Sequence, residues 1–109
     1  MSTQKIWDLH MVYDGLVSDE FLAHTKGLAE SIAQEPGVIW KIWTHEEGTN
    51  HYGSTYLFID QEHLEIYKAM HIERLNAIGI TEITDHVFDI MEDLSRINNA
   101  PLGKGTGST

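Results

Sequence analysis

The chain has no cysteine, which removes disulfides, thiolate metal sites and a cysteine nucleophile together. It has two prolines, Pro36 and Pro101, so the backbone is forced out of regular structure at few points. Lysine and arginine number seven, scattered among 109 residues with 17 acids and a formal charge of −10. Binding to a phosphate backbone draws on clustered basic residues, so no nucleic-acid partner is expected. No run approaches the roughly 18 apolar residues that a membrane span needs. The opening Met1-Ser2-Thr3-Gln4-Lys5 also lacks the basic-then-apolar order of a signal peptide, so the expected setting is cytoplasmic with no membrane contact. There is no glycine-rich phosphate loop, no zinc-spaced His-Glu pair on a helix and no serine elbow.

What is present is enough to build one core: 41% apolar residues, with three tryptophans and four tyrosines. The organising stretch is Gln34 to Trp43. Pro36 and Gly37 stop a helix running in from Ser18, and Val38-Ile39-Trp40-Lys41-Ile42-Trp43 then reads as a strand, apolar on both faces. Strict alternation places Val38, Trp40 and Ile42 on one face and Ile39, Lys41 and Trp43 on the other. Lys5 to Tyr13 reads as an earlier strand with Trp7, Leu9 and Met11 aligned. The helix from Ser18 carries Phe21, Thr25, Leu28 and Ile32 on one stripe. Gly53 to Ile59 forms a hairpin with the second strand, and Asp60 caps a second helix whose stripe is Leu64, Tyr67, His71, Leu75 and Ile78, ending at Gly79. Thr81 to Asp89 is the last strand.

The order βαββαβ predicts a ferredoxin-like α+β subunit over residues 1–100, an antiparallel sheet with two helices on one face. Residues 101–109, rich in glycine, read as a flexible tail. Met91 to Pro101 has apolar residues enough to dock on the body or a partner. Two helices cover only one sheet face, so a homodimer with facing sheets is expected.

Side chains that this order brings between sheet and helices are Trp40, Trp43, Tyr56 and Phe58 from the hairpin and Tyr67 and His71 from the second helix. They would make an apolar pocket with few polar groups, as small-molecule sites tend to be. His71 is the one polar break in its stripe: a functional base, or a core histidine bonded to a backbone carbonyl. The tryptophans read equally as core or interface residues. His10 and His86 become neighbours if the first and last strands pair, but no third ligand at a metal spacing accompanies them. His45 and His51 read as solvated loop residues.

Leu28-Ala29-Glu30-Ser31-Ile32, Gln34-Glu35-Pro36-Gly37, Trp40-Lys41 with Trp43-Thr44, Tyr56-Leu57-Phe58, Val87-Phe88-Asp89 and Leu94-Ser95 with Ile97-Asn98 resemble the YdhR family of mono-oxygenases, over about Leu9 to Ala100. That resemblance implies a dimeric α+β barrel, related to the antibiotic-biosynthesis mono-oxygenases. It implies oxygenation of an electron-rich aromatic, such as a polycyclic phenol, by O₂ with no cofactor: no flavin, no haem and no metal. His71 is then the base, Trp40 and Trp43 walls or indole donors, and Lys41 or Arg74 an anion partner. Lys41 at a dimer rim and Arg74 in a surface ion pair are the plainer alternatives. Tyr67-Lys68-Ala69-Met70-His71 is also similar in position to the iron-ligating helix of haem-degrading mono-oxygenases, but Phe58 stands where those have a tryptophan. A non-enzymatic dimeric binding module is the third reading.

Overall fold

The computed structural model describes residues 3–15 and 17–103. Strand β1 (Lys5–Val12) is followed by α1 (Asp19–Ile32), β2 (Val38–His45), β3 (His51–Phe58), α2 (Gln61–Ala77), β4 (Ile83–Asp89) and a short α3 (Glu92–Ile97). The strands form one antiparallel sheet in the order β2-β3-β1-β4. This is the ferredoxin-like α+β arrangement that the sequence predicts, with α3 added in the Met91 to Pro101 segment.

Local chemistry sets the helix starts. The Ser18 hydroxyl accepts a hydrogen bond from the Phe21 amide at 3.1 Å, and the Asp60 carboxylate accepts one from the His63 amide at 2.9 Å. Each cap satisfies an amide that the first helical turn leaves without a partner. Between the two helices, Gly37 turns the chain at φ 90°, and a Cβ there would lie 2.4 Å from the Cβ of His63. The Gly37 carbonyl accepts from the Ile59 amide at 2.9 Å. The junction therefore holds the end of α1, the start of β2 and the first turn of α2 together.

The core sits between the helices and one sheet face. Trp7 lies opposite Tyr56 and Leu9 opposite Ser54, and Trp7, Leu9, Tyr56 and Phe58 pack against Ile32, Leu64, Tyr67 and Leu75. The Trp7 indole N–H donates to Asp85 at 2.8 Å, and Lys68 pairs with the same carboxylate at 2.6 Å. This buried polar tip is thus satisfied.

In β2 strict alternation fails. The register shifts between Val38, opposite Phe58, and Trp40, opposite Leu57, which is a β-bulge that takes up Ile39. Val38 therefore joins Lys41 and Trp43 on the helix side, while Trp40 and Ile42 lie on the other face. There the Trp40 indole donates to the Pro101 carbonyl at 2.6 Å, and Leu102 is buried. Packing thus continues into residues 101–103, within the span read as tail; residues 104–109 lie outside the described residues. Among the described residues no helix is long and apolar enough to cross a membrane.

Candidate active site

A cavity of about 320 Å³ opens between α1, α2 and the helix-side face of the sheet. The α1 stripe supplies Phe21, Thr25 and Leu28, and α2 supplies His71, Arg74, Leu75 and Ile78, positions three or four apart that share one helix face. From the sheet come Met11, Lys41, Trp43 and Ser54. Alternation along β2 and β3 puts Lys41 opposite Tyr56 and Trp43 opposite Ser54. The walls are mostly apolar, and Lys41, Ser54, His71 and Arg74 form a polar patch on them.

The charges in that patch are uncompensated. Among the described residues neither Lys41 nor Arg74 joins an ion pair, and no aspartate or glutamate lines the cavity. The Arg74 Nε is buried with no hydrogen-bond partner among the described residues. Lys41 Nζ sits 3.5 Å from the centroid of the Trp43 ring and 4.7 Å from that of Tyr56. Ring faces attract a cation but do not neutralise it. Burial, with a smaller push from Arg74, brings the Lys41 amine down to about 7, so it exchanges a proton near neutrality.

His71 is 2% exposed, and its Nδ1 accepts a hydrogen bond from Arg74 Nη2 at 2.8 Å. An imidazole that accepts at Nδ1 is neutral and carries its proton on Nε2. Burial, then Lys41, then Arg74 push its pKa down to about 3. The ring is neutral at physiological pH, as burial predicts, but one nitrogen is engaged and two cations oppose a second proton. It is not the poised base expected from the sequence; Lys41 has that property instead. The Tyr56 and Tyr67 hydroxyls lie 3.0 Å apart, and burial raises both pKa values. Arg74 Nη2 lies 3.5 Å from the Tyr67 oxygen.

Of the residues singled out in the sequence, Lys41, Trp43, His71 and Arg74 come together on the cavity wall. Tyr56 and Tyr67 stand behind them, and Phe58 stacks on Tyr56 in the core with ring centroids 5.5 Å apart. Trp40 faces away, because it stands three residues from Trp43 in a regularly paired stretch and so lies on the opposite face of β2. His10 pairs with His51 rather than His86, their ring nitrogens 2.9 Å apart, while His86 lies opposite Asp8. His51 thus opens β3 rather than floating in a loop. His45 ends β2 and stacks on Tyr52 at 4.3 Å. Among the described residues no group of three or more ligands could hold a metal ion. Ser54 and Tyr52 were missed as cavity residues, although both share the parity of Tyr56 along β3.

The family model described as "Putative mono-oxygenase ydhR" matches residues 6–101. The chain belongs to the ydhR family. No curated protein matches it. Among solved structures, SnoaB of Streptomyces nogalater, a cofactor-independent oxygenase, is similar with a TM-score of 0.65 and 16% identity, over 84% of this chain and 96% of that one. MupZ of Pseudomonas fluorescens is similar with a TM-score of 0.62 and 14% identity, over 93% and 79% of the two chains. At these identities the likeness is one of fold. Membership of the ydhR family supports a general mono-oxygenase role.

Proposed function

We propose that the protein is a cofactor-independent mono-oxygenase that oxidises an electron-rich aromatic, a hydroxylated polycyclic phenol, with O₂ as co-substrate and without flavin, haem or metal, and that it works as a homodimer. The observation that carries this reading is an amine, Lys41, brought down to about 7 inside an apolar cavity. Such a group takes a phenolic proton at neutral pH and then stands as a cation beside the phenolate. The volume lies within the range of small-molecule sites.

The substrate carries the redox chemistry. The phenol O–H proton passes to Lys41 Nζ, and the phenolate transfers one electron to O₂. Superoxide and the ring radical combine in a new C–O bond, and the peroxide anion takes the proton back from Lys41 Nζ, restoring the neutral amine and giving a hydroperoxide. Its O–O bond then breaks as the proton on the same ring carbon leaves. Phenol plus O₂ becomes quinone plus water. Arg74 stabilises the negative oxygen formed in this apolar surrounding, and His71, accepting from Nη2, holds the guanidinium in place. The haem reading has no observation in its favour: the imidazole is enclosed and flanked by two cations.

The test is oxygen uptake with a panel of naphthols and anthrols, with ¹⁸O₂ to follow the atoms. One labelled oxygen should appear in the quinone and the other in water, and Lys41→Met should lower kcat by about 100-fold or more. Uptake no faster than the uncatalysed rate across the panel would overturn the assignment.

A further inference from the structure

The polar patch has more positive charge than deprotonating a neutral phenol requires. Seventeen acids are spread over this chain, against seven lysines and arginines. The cavity wall nevertheless holds two of the basic residues and none of the acids. Two cations facing one apolar space repel each other and lose hydration, and a chain this acidic has carboxylates available to pair them. Among the described residues both remain unpaired. Arg74 also keeps donors beyond those given to His71 and Tyr67, its buried Nε among them. This is the donor set of a site that is completed by an anion from outside the chain, and a planar guanidinium fork matches the two oxygens of a carboxylate.

We infer that the cavity is a receptor for an aromatic acid, whose ring packs on Phe21, Leu28 and Trp43 and whose carboxylate is held by Lys41 and Arg74. This goes beyond the oxygenase reading: a carboxylate that keeps Lys41 a cation and occupies Arg74 takes the place of the phenolic group there, so the acid is a ligand that competes with the phenol and is not itself the compound oxidised. A bound carboxylate supplies the missing countercharge, so it favours the protonated form of Lys41. The other titratable groups on the wall are His71 and His24 from the helices, His45 and Tyr52 from the strands, and Tyr13 just after β1, with no carboxylate among them. Binding therefore takes up as much as one proton just above pH 7, at Lys41.

The probes are 2-naphthoate and its uncharged isostere 2-naphthamide, titrated calorimetrically at pH 7.5 in buffers of different ionisation enthalpy. Naphthoate should bind about tenfold or more tightly than the amide, with net proton uptake. Arg74→Gln and Lys41→Met should each remove most of the preference, and Lys41→Met should also abolish the uptake. Lys41→Arg, which keeps the charge, should retain the preference and serves as the folded control. Equal affinity for acid and amide, or binding of neither, overturns the inference, as does a preference that survives in both Arg74→Gln and Lys41→Met. Neither probe has the hydroxyl that oxidation needs, so the outcome is independent of oxygen uptake. A carboxylate receptor without oxygenase activity and an oxygenase without a carboxylate receptor are told apart.

Discussion

At the scale of single residues, Lys41 has consequences for stability as well as chemistry. Its folded pKa of about 7 lies below its ordinary value of 10.5, so between those limits the unfolded chain holds a proton that the folded chain has released. Stability then rises with pH across that window, by at most about 1.4 kcal/mol per pH unit for one proton. His71, brought down to about 3, adds a rise of the same sign between there and its ordinary 6.5. Tyr56 and Tyr67, pushed up by burial, act oppositely: above about pH 10 the unfolded chain loses protons that the folded one keeps, and stability falls. Urea unfolding should show the protein more stable at pH 9 than at pH 7. Lys41→Met should be more stable than the parent at pH 7 and show a flatter profile; a slope that persists unchanged in the variant places its cause elsewhere. The sequence showed that His71 breaks an apolar stripe and that Arg74 is three residues away. It did not show that Arg74 turns inward to His71 Nδ1, because a periodic pattern fixes a face and not a hydrogen bond.

At the scale of elements, the helix stripes and the hairpin were legible because burial of one face imposes a period, and caps mark the ends. The bulge at Ile39 was not: nothing in Val38-Ile39-Trp40 distinguishes a strand that alternates strictly from one that takes up an extra residue. That one residue moved Val38 to the helix side with Lys41 and Trp43, while Trp40 and Trp43, three apart, stand on opposite faces by plain alternation. The junction next to it gives a sharp test of packing against intrinsic strain. Gly37 and Gly48 both have positive φ, 90° and 81°. A Cβ on Gly37 meets His63 at 2.4 Å, while one on Gly48 meets nothing within 4 Å. Gly48→Ala should therefore cost about 1–2 kcal/mol, the left-handed penalty alone. Gly37→Ala should cost more, above about 2 kcal/mol, since the first turn of α2 must also shift. Equal losses in chemical denaturation would show that the His63 contact does not hold the junction.

At the scale of the whole molecule, the face of the sheet turned away from α1 and α2 decides how the chain exists in solution. Residues Pro101 to Gly103 meet Trp40 and Ile39 on its β2 side. On the same face Ile42 and Phe88 remain about half exposed, and Met91, just before α3, and Leu94 and Ile97 within it are open to solvent, Ile97 at 75%. A chain of charge −10 has polar residues in plenty for a solvated face, yet these positions are apolar, and an apolar patch of this kind marks a contact with another chain. In the proposed homodimer a second copy, sheet against sheet, would bury it without any other partner, and obligate pairs bury upwards of about 2,000 Å². Light scattering on the eluting peak should therefore give twice the chain mass at micromolar concentration. Ile42→Asp combined with Phe88→Asp, which places charges on both sides of the face, should yield monomers or unfolded chain. A folded parent that elutes as a monomer would refute the pairing, and it would leave the cavity argument intact because every group in the polar patch comes from one chain.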